Sequence, residues 1–148
     1  MNNSGFPLKP EADDFYRMLL IRMLHVMYPH DRIGNAPYER TASSVFKAAD
    51  ATPAQKIALA KALHDLRSLG FSELSDVTAL ECLKSIEKTQ FFQFVRGIAV
   101  VTLYDDQEVW EVLGYEGPSF DKGGYLNRGF NDLDWLPEPR IEEYGEAK

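Results

Sequence analysis

Only one stretch of this chain reads as a strand, the β-branched run Ile98–Thr102, and there is no second strand-like segment to pair with it. A lone strand leaves its backbone N–H and C=O groups without partners, and an isolated pair of strands is already marginal in water. The run is therefore expected to be helical, and so is the fold. The predicted architecture is all-α, a small bundle of four to five helices, followed by a long extended C-terminal arm rich in glycine and aromatic residues.

Start and stop signals divide the body. Residues 1–9 read as a loose end. Pro10 with Glu11, Asp13 and Asp14 begins a helix, since proline is tolerated in the first turn and acids there suit the helix dipole. Pro29 stops it after about Tyr28. Phe15, Met18, Leu19, Arg22, Met23 and Val26 supply its stripe, and Leu20, Ile21, Leu24 and Met27 widen it, so packing on two sides is expected. A loop with prolines and Gly34-Asn35 follows, then a weaker helix at about Tyr38–Ala49. Thr52-Pro53-Ala54-Gln55 is a capping box with proline at the first helical position, and it launches Pro53–Leu69. Gly70 ends that helix, whose buried face reads as Ile57, Ala60, Leu63, Leu66 and Leu69.

Ser75 or Thr78 is positioned to cap one long helix, about Asp76–Leu103. Its second half, QFFQFVRGIAVVTLY, is apolar almost all round and reads as the buried centre of the bundle. Gly97 in mid-helix costs roughly 1 kcal/mol against alanine, which suggests close packing on another backbone. Arg96 in the same stretch, if buried, needs a carboxylate or carbonyls. A last short helix starts at Asp105, the expected cap, with Glu108 at the third position; Val109, Trp110, Val112 and Leu113 are its apolar members and Gly114 its stop.

The body is thus assigned to residues 10–113, within a single domain. The arm, residues 114–139, contains five glycines and three prolines, interleaved with Tyr115, Phe120, Tyr125, Phe130 and Trp135. A flexible linker or disordered tail would lack those rings. Without periodicity the arm cannot build its own core, so its rings are expected to bury on another surface. Residues 140–148 form an acidic tail.

Charge is uneven. The chain carries 16 basic and 23 acidic residues, and the excess of acid lies in residues 104–148. That distribution argues against nucleic acid, whose phosphates it repels, and offers no polybasic patch to a membrane. The apolar runs Met18–Met27 and Phe91–Leu103 are too short to span a bilayer, so no direct membrane insertion is expected. The start MNNSGFPLKPEADD shows no signal pattern, which reads as cytoplasmic as encoded, with export alongside a partner, or by a signal missing from this stretch, as the periplasmic alternatives.

Chemistry-bearing residues are few. The single Cys82 excludes an internal disulfide and a cysteine cluster, and its default is a buried thiol. His25, His30 and His64 are poorly spaced for one metal site. His30-Asp31 has the composition of a catalytic dyad, but a turn explains it as well. Asp105, Asp106, Glu108 and Glu111 contain possible carboxylate pairs, although capping and solvent exposure account for them; Asp121, Asp132 and Asp134 serve turns and solubility equally well.

Several pieces, in order and spacing, resemble one family: Tyr104-Asp105-Asp106, Val109-Trp110-Glu111, Gly114-Tyr115-Glu116-Gly117-Pro118-Ser119, Lys122-Gly123-Gly124-Tyr125, Arg128-Gly129-Phe130 and Asp134-Trp135-Leu136-Pro137. Tyr28-Pro29-His30-Asp31 with Gly34 and Tyr38 adds to it, so the resemblance covers roughly residues 12–139. It is similar to the gluconate 2-dehydrogenase subunit 3 family, small subunits of FAD-dependent sugar and glucoside 3-dehydrogenase complexes. The resemblance implies a helical, non-catalytic subunit with no cofactor of its own. Its partner would be a large flavoprotein of the glucose-methanol-choline type that holds FAD and oxidises the sugar, with electrons passing to a cytochrome c subunit or another acceptor. The small subunit would stabilise the flavoprotein and help its maturation or export. Many members carry a twin-arginine signal, which this stretch lacks. The expected partner-binding residues are Trp110, Tyr115, Phe120, Tyr125, Arg128, Phe130 and Trp135. The competing expectations are a small free-standing enzyme using His30/Asp31 or the arm carboxylates, and a self-associating helical scaffold.

Overall fold

The computed structural model describes residues 10–123, and the side chains of residues 14–121 and 123. The described residues are all-α: α1 (Pro10–Met27), α2 (Asn35–Ala49), α3 (Pro53–Ser68), α4 (Asp76–Ile86), α5 (Gln90–Tyr104) and α6 (Gln107–Leu113). Short 3-10 turns lie at Phe71–Glu73 and Phe120–Lys122. The chain divides into a compact unit reaching Tyr115 and a second unit from Glu116 to Lys148.

Six helices replace the expected four to five because the long helix is two. The break is made by Thr89, whose hydroxyl donates to Ile86 O (2.7 Å) and accepts from Phe92 N–H (3.2 Å). One side chain thereby satisfies a terminal carbonyl of α4 and a terminal N–H of α5, groups that otherwise lack helical partners. Gln93 Nε2 donates to Glu87 O (2.7 Å) across the same joint.

One core fills the first unit. α1 contributes Leu19, Leu20, Met23 and Leu24, each almost completely buried, and it packs on α2, α3 and α4, so its wide apolar girth is used on more than one side. Met18 at its outer edge is exposed, contrary to its place in the expected stripe. Arg22 interrupts the stripe without cost to the packing: it donates to Leu74 O (3.0 Å) and pairs with Asp76 (2.7 Å), which holds α1 to the start of α4. α2 supplies Tyr38, Ala42, Val45 and Ala49 and makes its main contact with α5. Thr41, also buried, returns its hydroxyl to Pro37 O (2.8 Å).

Three further expectations are corrected. On α3 the buried face is Leu59, Leu63 and Leu66; Ile57 is 68% and Leu69 62% exposed, and Ala60 is half-buried. The stripe therefore runs at i, i+4, i+7 from Leu59: Leu63 and Leu66 are buried as expected, while Leu59 takes the place of Ile57 and Leu69. On α5 only Val95, Ala99 and Leu103 are buried, so it is a helix of the bundle surface rather than its enclosed centre. Arg96 and Gly97 lie on its open side: Arg96 is exposed, and a Cβ built on Gly97 meets nothing within 4 Å. Finally, Asp106 rather than Asp105 caps α6, its carboxylate accepting from Glu108 N–H (3.0 Å), while Asp105 closes α5 by donating its N–H to Val101 O (3.0 Å).

Candidate docking site

Sequence-distant motifs meet at one corner of the body. The loop after α1 and the first turns of α2 bring Tyr28, His30, Asn35, Tyr38 and Arg40. The end of α5 and the start of α6 bring Tyr104, Asp106, Glu108 and Trp110.

Tyr104 is the joint. As the last residue of α5 it has a carbonyl with no helical partner, and Trp110 Nε1 donates to it (2.6 Å). Its hydroxyl pairs with His30 Nε2 (2.8 Å), and its ring meets Tyr28 edge-on at 6.0 Å. His30 is thus engaged with a phenol from across the fold, and no hydrogen bond joins it to Asp31. Behind this contact, Tyr38 is fully buried and donates its hydroxyl to Tyr28 O (2.6 Å). His25 stacks on the Tyr38 ring at 3.8 Å and donates Nε2–H to Asn35 Oδ1 (2.9 Å). Burial pushes the Tyr28 and Tyr38 phenols above their ordinary range, so both are neutral hydrogen-bonding groups at physiological pH.

Arg40 holds the other side of the corner. Its guanidinium reaches both Asp106 oxygens (Nε to Oδ2 2.6 Å, Nη2 to Oδ1 2.8 Å) and Glu108 Oε2 (2.8 Å). Asp106 therefore has two tasks, capping α6 and receiving a bidentate fork, and the Arg40 hydrogen bonds hold its carboxyl below the usual range. The Arg40 charge is in turn reinforced, first by Asp106 and then by Glu108. Glu108 is solvent-exposed, as expected, and still reaches Arg40. Only the fold links positions 66 residues apart.

The outer rim of this corner is aromatic and apolar. Tyr115 N–H donates to Trp110 O (2.8 Å), and the two rings meet edge-to-face at 5.2 Å, a favoured aromatic geometry. Gly114, at φ +73°, makes the turn that folds Tyr115 back, a conformation costly for other residues. Tyr115 and Leu113 remain exposed, and Trp110 is half-buried. In the second unit Phe120 is 91% exposed. Tyr125, Arg128, Phe130 and Trp135 lie outside the described residues, as do most of the arm and the acidic tail.

Among the described residues no group of three His, Cys, Asp or Glu side chains is placed to hold a metal ion, and no helix is long and apolar enough to cross a membrane. No family profile, curated protein or solved structure matches the chain.

Proposed function

We propose that the chain is a non-catalytic small subunit that binds and stabilises the catalytic flavoprotein of a FAD-dependent sugar dehydrogenase complex. The observation that carries the binding role is the Trp110–Tyr115 pair. Its two rings are fixed by a backbone hydrogen bond, an indole-to-carbonyl bond and an edge-to-face contact, yet they stay on the surface beside exposed Leu113. Ring surfaces ordered before binding need little further ordering on association, and Trp and Tyr are the residues in which interface energy concentrates. The class of partner rests on the resemblance of the motifs. In support of it, the Tyr28–Tyr38 piece and the Tyr104–Trp110 piece, far apart in sequence, build one corner.

In this reading the large subunit holds FAD and oxidises the sugar, and electrons leave to a cytochrome subunit or another acceptor. Trp110, Tyr115, Phe120, Tyr125, Arg128, Phe130 and Trp135 engage the large subunit, and the acidic charge of the arm sets register more than affinity.

The test is co-expression with a glucose-methanol-choline flavoprotein encoded beside this chain. A co-purifying complex is expected, with loss of roughly 2 kcal/mol or more of complex stability on Trp110→Ala or Trp135→Ala if these are hot spots. Sugar oxidation per bound flavin should stay nearly unchanged. Deletion of Gly117–Lys148 with no effect on complex yield or thermal stability would show that the arm does not dock. Turnover by the purified chain alone would favour the enzyme reading, and a soluble self-associated chain with no affinity for the flavoprotein the scaffold reading.

A further inference from the structure

A further face of the body carries an unbalanced set of charges. Lys84, Lys88 and Arg96 line a groove of about 510 Å³ that runs between α4 and α5 and ends at Met27 and Tyr28. Glu87 is the one carboxylate of its lining, and the three cations make no ion pair among the described residues. Leu80 and Phe92 supply apolar surface in the same groove. A cleft lined by one sign of charge over low-dielectric walls focuses its field outward. This occurs in a chain with a net charge of −7, so the groove is a local exception to the overall field.

Gly97 is an independent observation on the same face. Gln93, Arg96, Gly97 and Val100 follow the spacing that places residues side by side on a helix, and Gln93 and Arg96 already line the groove. Glycine is a poor choice inside a helix. Nothing within the body requires it, because an added Cβ has open space around it. Exposed Val100 lies one turn further along. A glycine that the chain's own packing does not explain, flanked by an exposed valine and an exposed cation, suits close approach by a second backbone.

We infer that the α4–α5 groove and its continuation over Gly97 form a docking track for an acidic segment of a partner protein. Carboxylates of that segment meet Lys84, Lys88 and Arg96, an apolar residue enters beside Leu80 and Phe92, and the partner backbone crosses at Gly97. This track is separate from the Trp110–Tyr115 rim and stands whether or not the partner is a flavoprotein.

The probe is a fluorescein-labelled peptide of about twelve residues built from Glu, Asp, Leu and Phe, with a Lys-for-Glu counterpart as control; the length gives it several charges to spread along the groove. Fluorescence anisotropy with the full chain should show binding of the acidic peptide only, weakening as salt rises. K84E/K88E/R96E should weaken it by about tenfold or more, as loss of several charge contacts implies. R96E alone, a single exposed substitution, should act in the same direction and covers a triple variant that fails to fold. K47E, an exposed lysine on α2, should have no effect. G97A should raise the melting temperature by a few degrees, as alanine is the better helix former, whereas G97L should weaken peptide binding by obstructing the crossing. Absence of acidic-peptide binding, an affinity indifferent to R96E and the triple reversal, or preferential binding of phosphatidylglycerol-containing vesicles would overturn the proposal. The flavoprotein co-expression tests the preceding reading, so each can fail alone.

Discussion

Helix α2 contains two serines, a threonine, a glutamate, an arginine and a lysine, yet six of its fifteen residues are buried, Pro37, Tyr38, Thr41, Ala42, Val45 and Ala49. Helix α5, of the same length and far more apolar, buries three, Val95, Ala99 and Leu103. The two pack on each other. Total hydrophobicity therefore says little about which helix is enclosed. What matters at this interface is the narrow stripe each presents, and on both sides that stripe includes alanines that allow close approach. The remaining apolar surface of α5, Val100 and Val101, faces outward.

This contrast can be broken from either side. Leu103→Ala removes a fully buried side chain from the α5 stripe and should destabilise the body by about 2–5 kcal/mol in urea denaturation. Ala99→Leu forces three additional carbons into the seam with α2 and should cost about 1–3 kcal/mol by overpacking. The same exchange at an outward position would be nearly silent.

A smaller effect is expected from Asp106→Asn, which keeps a capping oxygen but removes the charge that Arg40 grips. A carboxyl whose value is lowered on folding stabilises the fold above its unfolded value and loses that contribution as pH falls through the folded one. The difference in melting temperature between native chain and variant should thus be full at neutral pH and close progressively below about pH 4. A difference independent of pH would mean that the cap, not the ion pair, holds α6. The smallest effect belongs to Val101→Thr, at 66% exposure, which should change stability by no more than about 0.5 kcal/mol in either direction. A larger loss would show that this face is covered within the chain.

How much of this was legible in the sequence follows from range. Gly70 and Gly114 end helices as expected because a left-handed turn is a local demand, and the Thr52 cap was readable because its partner, Gln55 N–H, is three residues away. Thr89 was missed because it lies within an unbroken helical pattern, and only its double hydrogen bond reveals the joint. On α3, Leu63 and Leu66 are buried as expected, but Ile57 and Leu69 fit the helical period as well as Leu59 does, and tertiary packing chose Leu59. At the corner, the Tyr28–Tyr38 and Tyr104–Trp110 motifs were each visible, but their meeting was not, nor was Arg40. These contacts join residues 66 and 74 positions apart, and no local pattern records them.

That separation has a consequence for the order of events during synthesis. A chain emerging from the ribosome at roughly 5–20 residues per second exposes His30 and Arg40 long before Tyr104 and Asp106 exist. For several seconds α1 and α2 have no α5 to close against, and the Tyr28–Tyr38 loop has no lid. Closing that span late also carries the entropy of a long loop, though this grows only slowly with length. The Trp110–Tyr115 rim is therefore the last part of the body to be assembled. A partner that recognises the rim would distinguish a finished chain from a nascent one.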